Sequence, residues 1–164
     1  MGSIPITRSS VMISVSIITI NDDLDQLVLD INEAEWDEAN DMSEYDVEAL
    51  EAYLLAPDTV FVACYETTDH SEQLAGIASA RFQIKPYDKA RWLYVDEVDV
   101  CADMRQRGAG KAMMLMLIQL AEDEGCEDVW LGTEIDNFPA NALYRSLDPD
   151  DIAEVVGYTF ETAG

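Results

Sequence analysis

The sequence predicts one domain of mixed α+β (α/β) class, a mostly antiparallel sheet flanked by helices. Three observations predict it. Stretches rich in β-branched residues and of strand length are interleaved with stretches of helical periodicity. The connections between several strands are short and polar, as hairpins require. The 164 residues, 49% of them hydrophobic, suit a single core without disulfides or metal. No internal repeat or low-complexity linker interrupts the chain. The expected organisation is a flexible lead-in over residues 1–10, rich in Gly, Pro and Ser, and one domain over residues 11–164.

Each element has its own local signal. Val11 to Ile20 (VMISVSIITI) is β-branched and partly alternating, which predicts a strand. Asn21-Asp22-Asp23 supplies capping chemistry, and Leu24, Leu27, Val28 and Ile31 follow at helical spacing. A second helix is expected from Tyr45 to Leu55, with Val47, Leu50 and Leu54 on one side and Pro57 just past its end. The stretch between, Glu33 to Glu44, reads as a charged face or a loop. Strands follow at Thr59–Glu66 and Leu74–Ile84, joined through a polar hairpin turn, Thr67 to Gln73. A loop containing Pro86, Asp88 and Lys89 leads to the strand Trp92–Val100 (WLYVDEVDV). Lys111 to Ala121 is an almost continuously hydrophobic helix, whose apolar run Met113–Ile118 is expected to face a sheet and a neighbouring helix. Gly125 ends it. Asp128–Ile135 is the next strand, and Pro139–Leu147 a short helix with proline in its first turn. Ala153 to Thr162 has strand character.

Charge narrows the function. With 34 acidic and 9 basic residues the net charge is −25 and the isoelectric point about 4.1. Nucleic acid and anionic membrane are disfavoured as partners, because phosphate contacts need a basic patch. The acidity fits either attraction of a cationic partner or solubility in a high-salt, halophile-like cytoplasm. Three lysines beside 34 acids favour the second. Cys64, Cys101 and Cys126 are odd in number and far apart, and the one histidine is His70. Neither a structural zinc nor a disulfide framework is expected, but reduced thiols of a cytoplasmic protein are. The apolar run near the N-terminus is too short to span a bilayer.

Against this background three of the nine cations, Arg105, Arg107 and Lys111, fall within seven residues: Arg105-Gln106-Arg107-Gly108-Ala109-Gly110-Lys111. A strand precedes the segment and a helix follows it. Such a junction aims backbone N–H groups outward at a helix N-terminus, where the dipole also favours anions. Glycine lets the backbone approach a phosphate closely. The alternative is a surface turn with ordinary helix-start glycines, but cations retained in so acidic a chain point to an anionic ligand. A P-loop is excluded, since Arg105 stands at its earlier glycine position and Ala112 at its Ser/Thr position. A dinucleotide fingerprint needs a further glycine where Met113 stands.

What remains is Arg-x-x-Gly-x-Gly after a strand ending Val98-Asp99-Val100. Here the sequence resembles the GNAT superfamily of N-acetyltransferases, whose pyrophosphate loop reads Q/R-x-x-G-x-G/A. Downstream, Asn137-Phe138-Pro139-Ala140-Asn141-Ala142-Leu143-Tyr144 matches that family's N-x-x-A-x-x-L-Y. The two motifs stand in register, and the resemblance covers about Trp92 to Leu147. It implies a mixed, mostly antiparallel sheet in which two parallel strands splay apart to form an acetyl-CoA cleft. The backbones of Val98 and Val100 would pair with the pantetheine arm. The N–H groups of Arg105, Gln106, Arg107, Gly108, Ala109, Gly110 and Lys111 would hold the pyrophosphate, and Asn137 and Asn141 would contact the coenzyme. Tyr144 would protonate the leaving thiolate, its alternative being a core tyrosine. No metal is implied.

The acceptor side rests on carboxylates. Alternation puts Glu97 and Asp99 on one face of their strand and Asp96 on the other. Clustered carboxylates raise one another's pKa, which suits a base near neutrality, and they also attract a cation. Glu97 is the expected base, with Asp99 or Asp96 as alternatives and as substrate-binding groups. In so acidic a chain each can also be a plain solvated carboxylate. The implied reaction is direct attack of a primary amine on the acetyl group, because no cysteine has a local histidine partner.

At a finer level the chain resembles the aminoglycoside 3-N-acetyltransferase branch. The features are the Tyr45–Leu55 helix leading into Thr59-Val60-Phe61-Val62-Ala63, the Leu93-Tyr94-Val95 lead into Glu97, and the acidic, aromatic tail. A polycationic small molecule is the acceptor this implies. The alternatives are a protein or peptide N-terminal acetyltransferase and a non-catalytic coenzyme-A-binding sensor. The usual Gly-Phe turn after the tyrosine helix is replaced by Asp148-Pro149-Asp150-Asp151, which alters the end of the acceptor region. Homodimers are common in the family, although the sequence shows no clear interface.

Overall fold

Strand pairing is the frame on which the site is hung. In the computed structural model, which describes residues 11–164, β1 (Met12–Ile17), β2 (Thr59–Thr67), β3 (Glu72–Ile84) and β4 (Arg91–Val100) form successive antiparallel pairs. β5 (Asp128–Leu131) follows β4 in the order β1-β2-β3-β4-β5, giving an open, mixed five-stranded sheet. The lead-in expected over residues 1–10 lies outside the described residues. The β2–β3 hairpin is tighter than expected. Both strands extend by one or two residues, and the turn closes with Thr68 N–H donating to Ser71 O at 2.8 Å.

The register assigns the two faces of the sheet. Directly opposed residues in a ladder share a face. One face carries Phe61, Ser79 and Glu97, then Ala63, Ile77 and Asp99. Tyr45 and Tyr53 pack on Phe61 with ring centroids 6.1 and 6.2 Å away, so α2 (Val47–Leu55) covers this face. α1 (Leu24–Glu33) packs against α2 and buries Leu24, Leu27, Val28 and Ile31, the spacing read from the sequence. Asp23 and Asp46 cap the two helices by accepting from Gln26 N–H and Glu48 N–H. α2 stops at Ala56, whose extended backbone is what a residue before proline adopts.

The opposite face carries Val62, Ala78 and Val98, then Gly76 and Val100, and receives α3 (Ala109–Asp123). α3 buries Met113, Met114, Leu117 and Ala121 against β1–β4. The apolar run expected to be covered on two sides is covered on one, since Leu115 is 50% exposed. A 3.6-residue period cannot bring six consecutive side chains to one sheet.

The ladder between β3 and β4 is irregular at one point. Ser79 pairs with Glu97 but Ala80 with Val95, which leaves Asp96 as an extra residue. The Tyr53 hydroxyl lies 3.0 Å from the carbonyls of both Val60 and Ala80, holding the sheet beside this bulge. Simple alternation therefore fails at Asp96. It does not cross to the far face but lies 3.3 Å from Arg81, the neighbour of Tyr94 in the ladder.

The chain divides after Trp130 into two compact units. The second, Leu131–Gly164, holds α4 (Phe138–Ser146). β5 ends at Leu131, four residues short of the expected Ile135, as Gly132 and the turn at Ile135-Asp136 intervene. The strand expected at Ala153–Thr162 does not form, and Tyr158 and Phe160 are 80% and 84% exposed. β-branched and aromatic composition becomes a strand only where a partner supplies the ladder. Beyond the last residue of β5, this unit contains no strand to supply one.

Packing is close at Gly76. A Cβ there would stand 2.6 Å from the carbonyl oxygen of Asp99 and 2.7 Å from Met113 Cε. Gly76→Ala should therefore destabilise the protein by about 1–3 kcal/mol, since β4 backbone cannot yield as a side chain can. A thermal midpoint unchanged from wild type would show that the sheet and α3 separate freely.

Candidate active site

β4 leads directly into the cationic segment. After Val100 the chain makes a 3-10 turn over Ala102–Met104, and the buried Met104 anchors it. Gln106 (φ 61°) and Gly108 (φ 92°) are left-handed, and α3 starts at Ala109. At Gly108 the nearest atom to an added Cβ is Ile13 Cδ1 at 3.7 Å, so backbone conformation rather than space calls for glycine. A β-branched residue is the worst fit to that conformation.

The N-terminus of α3 differs from those of the other α-helices. Asp23, Asp46 and Asn137 cap α1, α2 and α4 with side-chain oxygens, but no side chain caps α3. α1 and α2 carry an acid in the first turn and α3 carries none. Ala112 N–H closes the first helical bond on Gly108 O, so helix geometry leaves the preceding N–H groups without helical acceptors. Lys111 is exposed in the first turn. This donor set fits a pyrophosphate. Both arginines are anchored at the loop by acids: Arg105 Nη1 lies 3.1 Å from Asp37 Oδ2, and Arg107 Nη1 2.8 Å from Glu66 Oε1. Glu66 is only 7% exposed, and the pairing offsets what burying its charge would cost.

On the other face of β4, Glu97 and Asp99 do stand together, as alternation requires. Glu97 is exposed and Asp99 half-buried. Burial, and next the charge of Glu97, raise the Asp99 pKa to about 6, against a hydrogen bond from Asn40 Nδ2 to Asp99 Oδ1 (2.9 Å) that lowers it. Tyr45 faces the same pair. Burial and the charges of Glu97 and Asp99 push its phenol up to about 12, so it stays protonated at neutral pH. Asp96 is engaged by Arg81.

Asn40, Tyr45, Asp37 and Glu66 were not identified from sequence. Asn40 and Asp37 lie in the stretch whose structure sequence leaves unsettled, now a 3-10 turn over Glu38–Asn40 with Asp37 as its cap. Asp37 ahead of Glu38 and Ala39 was the readable signal for a helical start. Nothing local signalled the contact of Asn40 with a residue 59 positions away.

In the second unit the two motif asparagines build the start of α4. Asn137 Oδ1 accepts from Ala140 N–H, and Asn141 Nδ2 donates to the carbonyls of Asn137 (2.8 Å) and Glu134 (3.0 Å). Tyr144 is half-buried on the same helix. The thiols of Cys64 and Cys101 are buried and pushed up, chiefly by burial, to about 11 and 12, which makes them poor nucleophiles. Among the described residues no group of three or more His, Cys, Asp or Glu is placed to hold a metal. No helix there is long and apolar enough to cross a membrane.

A left-handed glycine thus opens an uncapped, cation-bearing helix just after a bulged acidic strand. The profile of the Acetyltransferase (GNAT) family matches residues 26–148, and the chain belongs to that family. Family members use acetyl-CoA as co-substrate. The mouse N-acetyltransferase family 8 member 3 is 28% identical over 85 residues, 52% of this chain and 38% of that protein. The rat protein of the same name is 29% identical over 98 residues, 60% of this chain and 42% of that protein. The chain thus spans under half the length of these curated relatives. An aminoglycoside acetyltransferase from an uncultured soil metagenomic sample, solved with sisomicin, superposes with a TM-score of 0.75 at 18% identity, covering 92% of this chain and 96% of that one. The ribosomal-protein-alanine N-acetyltransferase from Brucella melitensis biovar Abortus 2308 superposes with a TM-score of 0.69 at 17% identity, covering 92% and 99%. At these identities the likeness is one of fold.

The raised pKa of Asp99 carries a stability consequence. A carboxyl whose folded pKa lies above its unfolded value stabilises the fold only while protonated, below the unfolded value near 3.8, and that contribution is lost as pH rises through about 6. Asp99→Asn should therefore melt with wild type near pH 4 and above it at pH 8. An advantage that shrinks as pH rises would contradict the burial of this charge.

Proposed function

We propose that residues 11–164 act as an acetyl-CoA-dependent N-acetyltransferase that moves an acetyl group to a primary amine by direct attack. The family match from 26 to 148 runs across the division after Trp130 and supports reading both units as one catalytic domain. The observation that carries the reading is the left-handed Gly108 opening a helix with no side-chain cap and no acid in its first turn.

Acetyl-CoA, when bound, supplies an acetyl thioester. The loop Arg105 to Lys111 offers N–H groups and cations to its pyrophosphate, and Val98 and Val100 offer strand backbone to the pantetheine arm. Between the two carboxylates, Asp99 suits the base better than Glu97. It is the more buried, and its pKa of about 6 leaves it ionised at neutral pH while it still binds a proton usefully. Glu97 then attracts the ammonium and keeps Asp99 from ionising too easily. Asp99 takes a proton from the ammonium, the freed amine nitrogen bonds to the acetyl carbon, the carbon–sulfur bond breaks, and the second nitrogen proton is balanced by protonation of the leaving thiolate. Tyr144 is the family's position for returning a proton to the thiolate, and Asn137 and Asn141 support the helix that carries it.

The acceptor we favour is a polycationic small molecule of the aminoglycoside kind. A site edged by Asp96, Glu97 and Asp99 in a chain of charge −25 concentrates and orients cations. Charged partners at that edge suit several ammonium groups better than one.

Thiol release from acetyl-CoA, measured against aminoglycosides, polyamines and peptide N-termini in low and high salt, tests the reading. Turnover with polycations that weakens in high salt is expected. Turnover with peptides alone would move the assignment to an N-terminal acetyltransferase. Binding of acetyl-CoA without release from any amine would make the protein a sensor. Gly108→Val should weaken coenzyme binding by at least about tenfold, and its failure to do so would remove the loop from the site. Asp99→Asn should cut turnover by about 10²-fold or more, with a smaller loss in Glu97→Gln; the reverse order would return the base to Glu97. In wild type kcat/KM for the amine should rise with pH through about 6.

A further inference from the structure

We infer that Asn40 is a positioning residue for the acceptor amine: its side-chain amide, carried on the Glu38–Asn40 turn, fixes the Asp99 carboxylate on the acceptor face of β4. This rests on the reading of Glu97 and Asp99 as the acceptor side of the site.

The geometry is a strut between the two halves of that site. At one end Asn40 Nδ2 donates to Asp99 Oδ1 at 2.9 Å. At the other end Asp37, the cap of the same turn, accepts from Ala39 N–H at 2.9 Å through Oδ1. Its second oxygen, Oδ2, lies 3.1 Å from Arg105 of the cationic loop. One carboxylate thus starts the turn and ties it to the coenzyme side, and three residues later an amide ties it to the base. Asp41 is left-handed and closes the turn on Glu38 O, which fixes the direction in which Asn40 points. Ala102 N–H donates to Glu35 O at 2.8 Å, a second link between this segment and the end of β4.

The choice of an amide is chemically specific. Asn40 gives Asp99 one donor and no charge. It stabilises the carboxylate without neutralising it, as an arginine would, and without repelling it, as an acid would. The other titratable groups around Asp99 are Glu97 on β4, Tyr45 ahead of α2 and Cys101 just past the strand. The charge of Glu97 favours protonated Asp99, and the Tyr45 phenol stays neutral up to about pH 12. Asn40 is the neighbour that holds the carboxylate in its proton-accepting form. It also fixes one of the two oxygens and leaves the other to the amine.

The test pairs a titration with kinetics on the full chain. The Asp99 carboxyl is followed by 13C NMR in coenzyme-free wild type, Asn40→Ala and Asn40→Asp. The midpoint should rise by about one pH unit in Asn40→Ala. It should rise further in Asn40→Asp, where a like charge replaces the donor. In the same variants kcat/KM for the amine near pH 6.5 should fall about tenfold, with its acid limb moved to higher pH and KM for acetyl-CoA unchanged. An unmoved midpoint overturns the inference. So does a moved midpoint with unchanged amine kinetics, or a loss confined to acetyl-CoA. If wild type acetylates no amine, the proposed function falls separately. Calorimetric binding of a polyamine to wild type and Asn40→Ala then decides the positioning role, equal affinities overturning it.

Discussion

The packing of α3 on the sheet leaves no clearance at one point. At Gly76 the absent side chain lets Met113 of α3 and the backbone of Asp99 in β4 approach the same point of β3. A methyl group there would have to lift the helix or push the strand outward. Both displacements matter to function. Lifting α3 moves its N-terminus and the left-handed Gly108, while pushing β4 moves Glu97 and Asp99. One glycine therefore ties the seating of the α3 N-terminus to the position of a pair of carboxylates on the opposite face of the sheet.

The bulge at Asp96 performs the complementary adjustment along the strand. Without it, strict alternation would have sent Asp96 to the face that α3 covers, where an unpaired carboxylate is costly. With it, Asp96 stays within reach of Arg81, and Glu97 and Asp99 face α2 and the Glu38–Asn40 turn. The bulge thus keeps Asp96 off the apolar underside of the sheet. Burying Asp99 beside Glu97 still opposes folding at neutral pH.

How much of this was legible in the sequence divides along physical lines. Elements whose signal is local were readable: the α1 stripe of Leu24, Leu27, Val28 and Ile31, the strand β4, and the glycine turn before α3. Their residues mark structure by period or by backbone conformation alone. What escaped depends on contact between distant segments. The stretch Glu33–Glu44 is acidic and aperiodic, and its turn acquires meaning only because Arg105 and Asp99 come to meet it. The tail failed in the opposite direction. Val155, Val156, Tyr158 and Phe160 carry strand propensity, but propensity without a partner forms no ladder. The bulge was invisible because one extra residue in a ladder leaves no mark on a strand's composition.

The charge of −25 gains meaning when it is set against the helix dipoles. α1 and α2 place acids in their first turns, where the positive end of the dipole welcomes them. α3 differs at its start: its first turn holds Lys111 and no acid, while its last turn, like those of α1 and α2, holds no base. A cation so placed costs an isolated helix about 0.3–1 kcal/mol. α4 also holds no acid in its first turn, but Asn137 caps it, so among the described α-helices only α3 lacks both a side-chain cap and a first-turn acid. An anion at the N-terminus of α3 would make the arrangement stabilising. A bound pyrophosphate would reverse the sign of the Lys111 contribution and meet the N–H groups that no side chain caps. The N-terminus of α3 is thus a point where the chain's acidity gives way to a cation and uncapped N–H groups, a setting in which the dipole favours an anion.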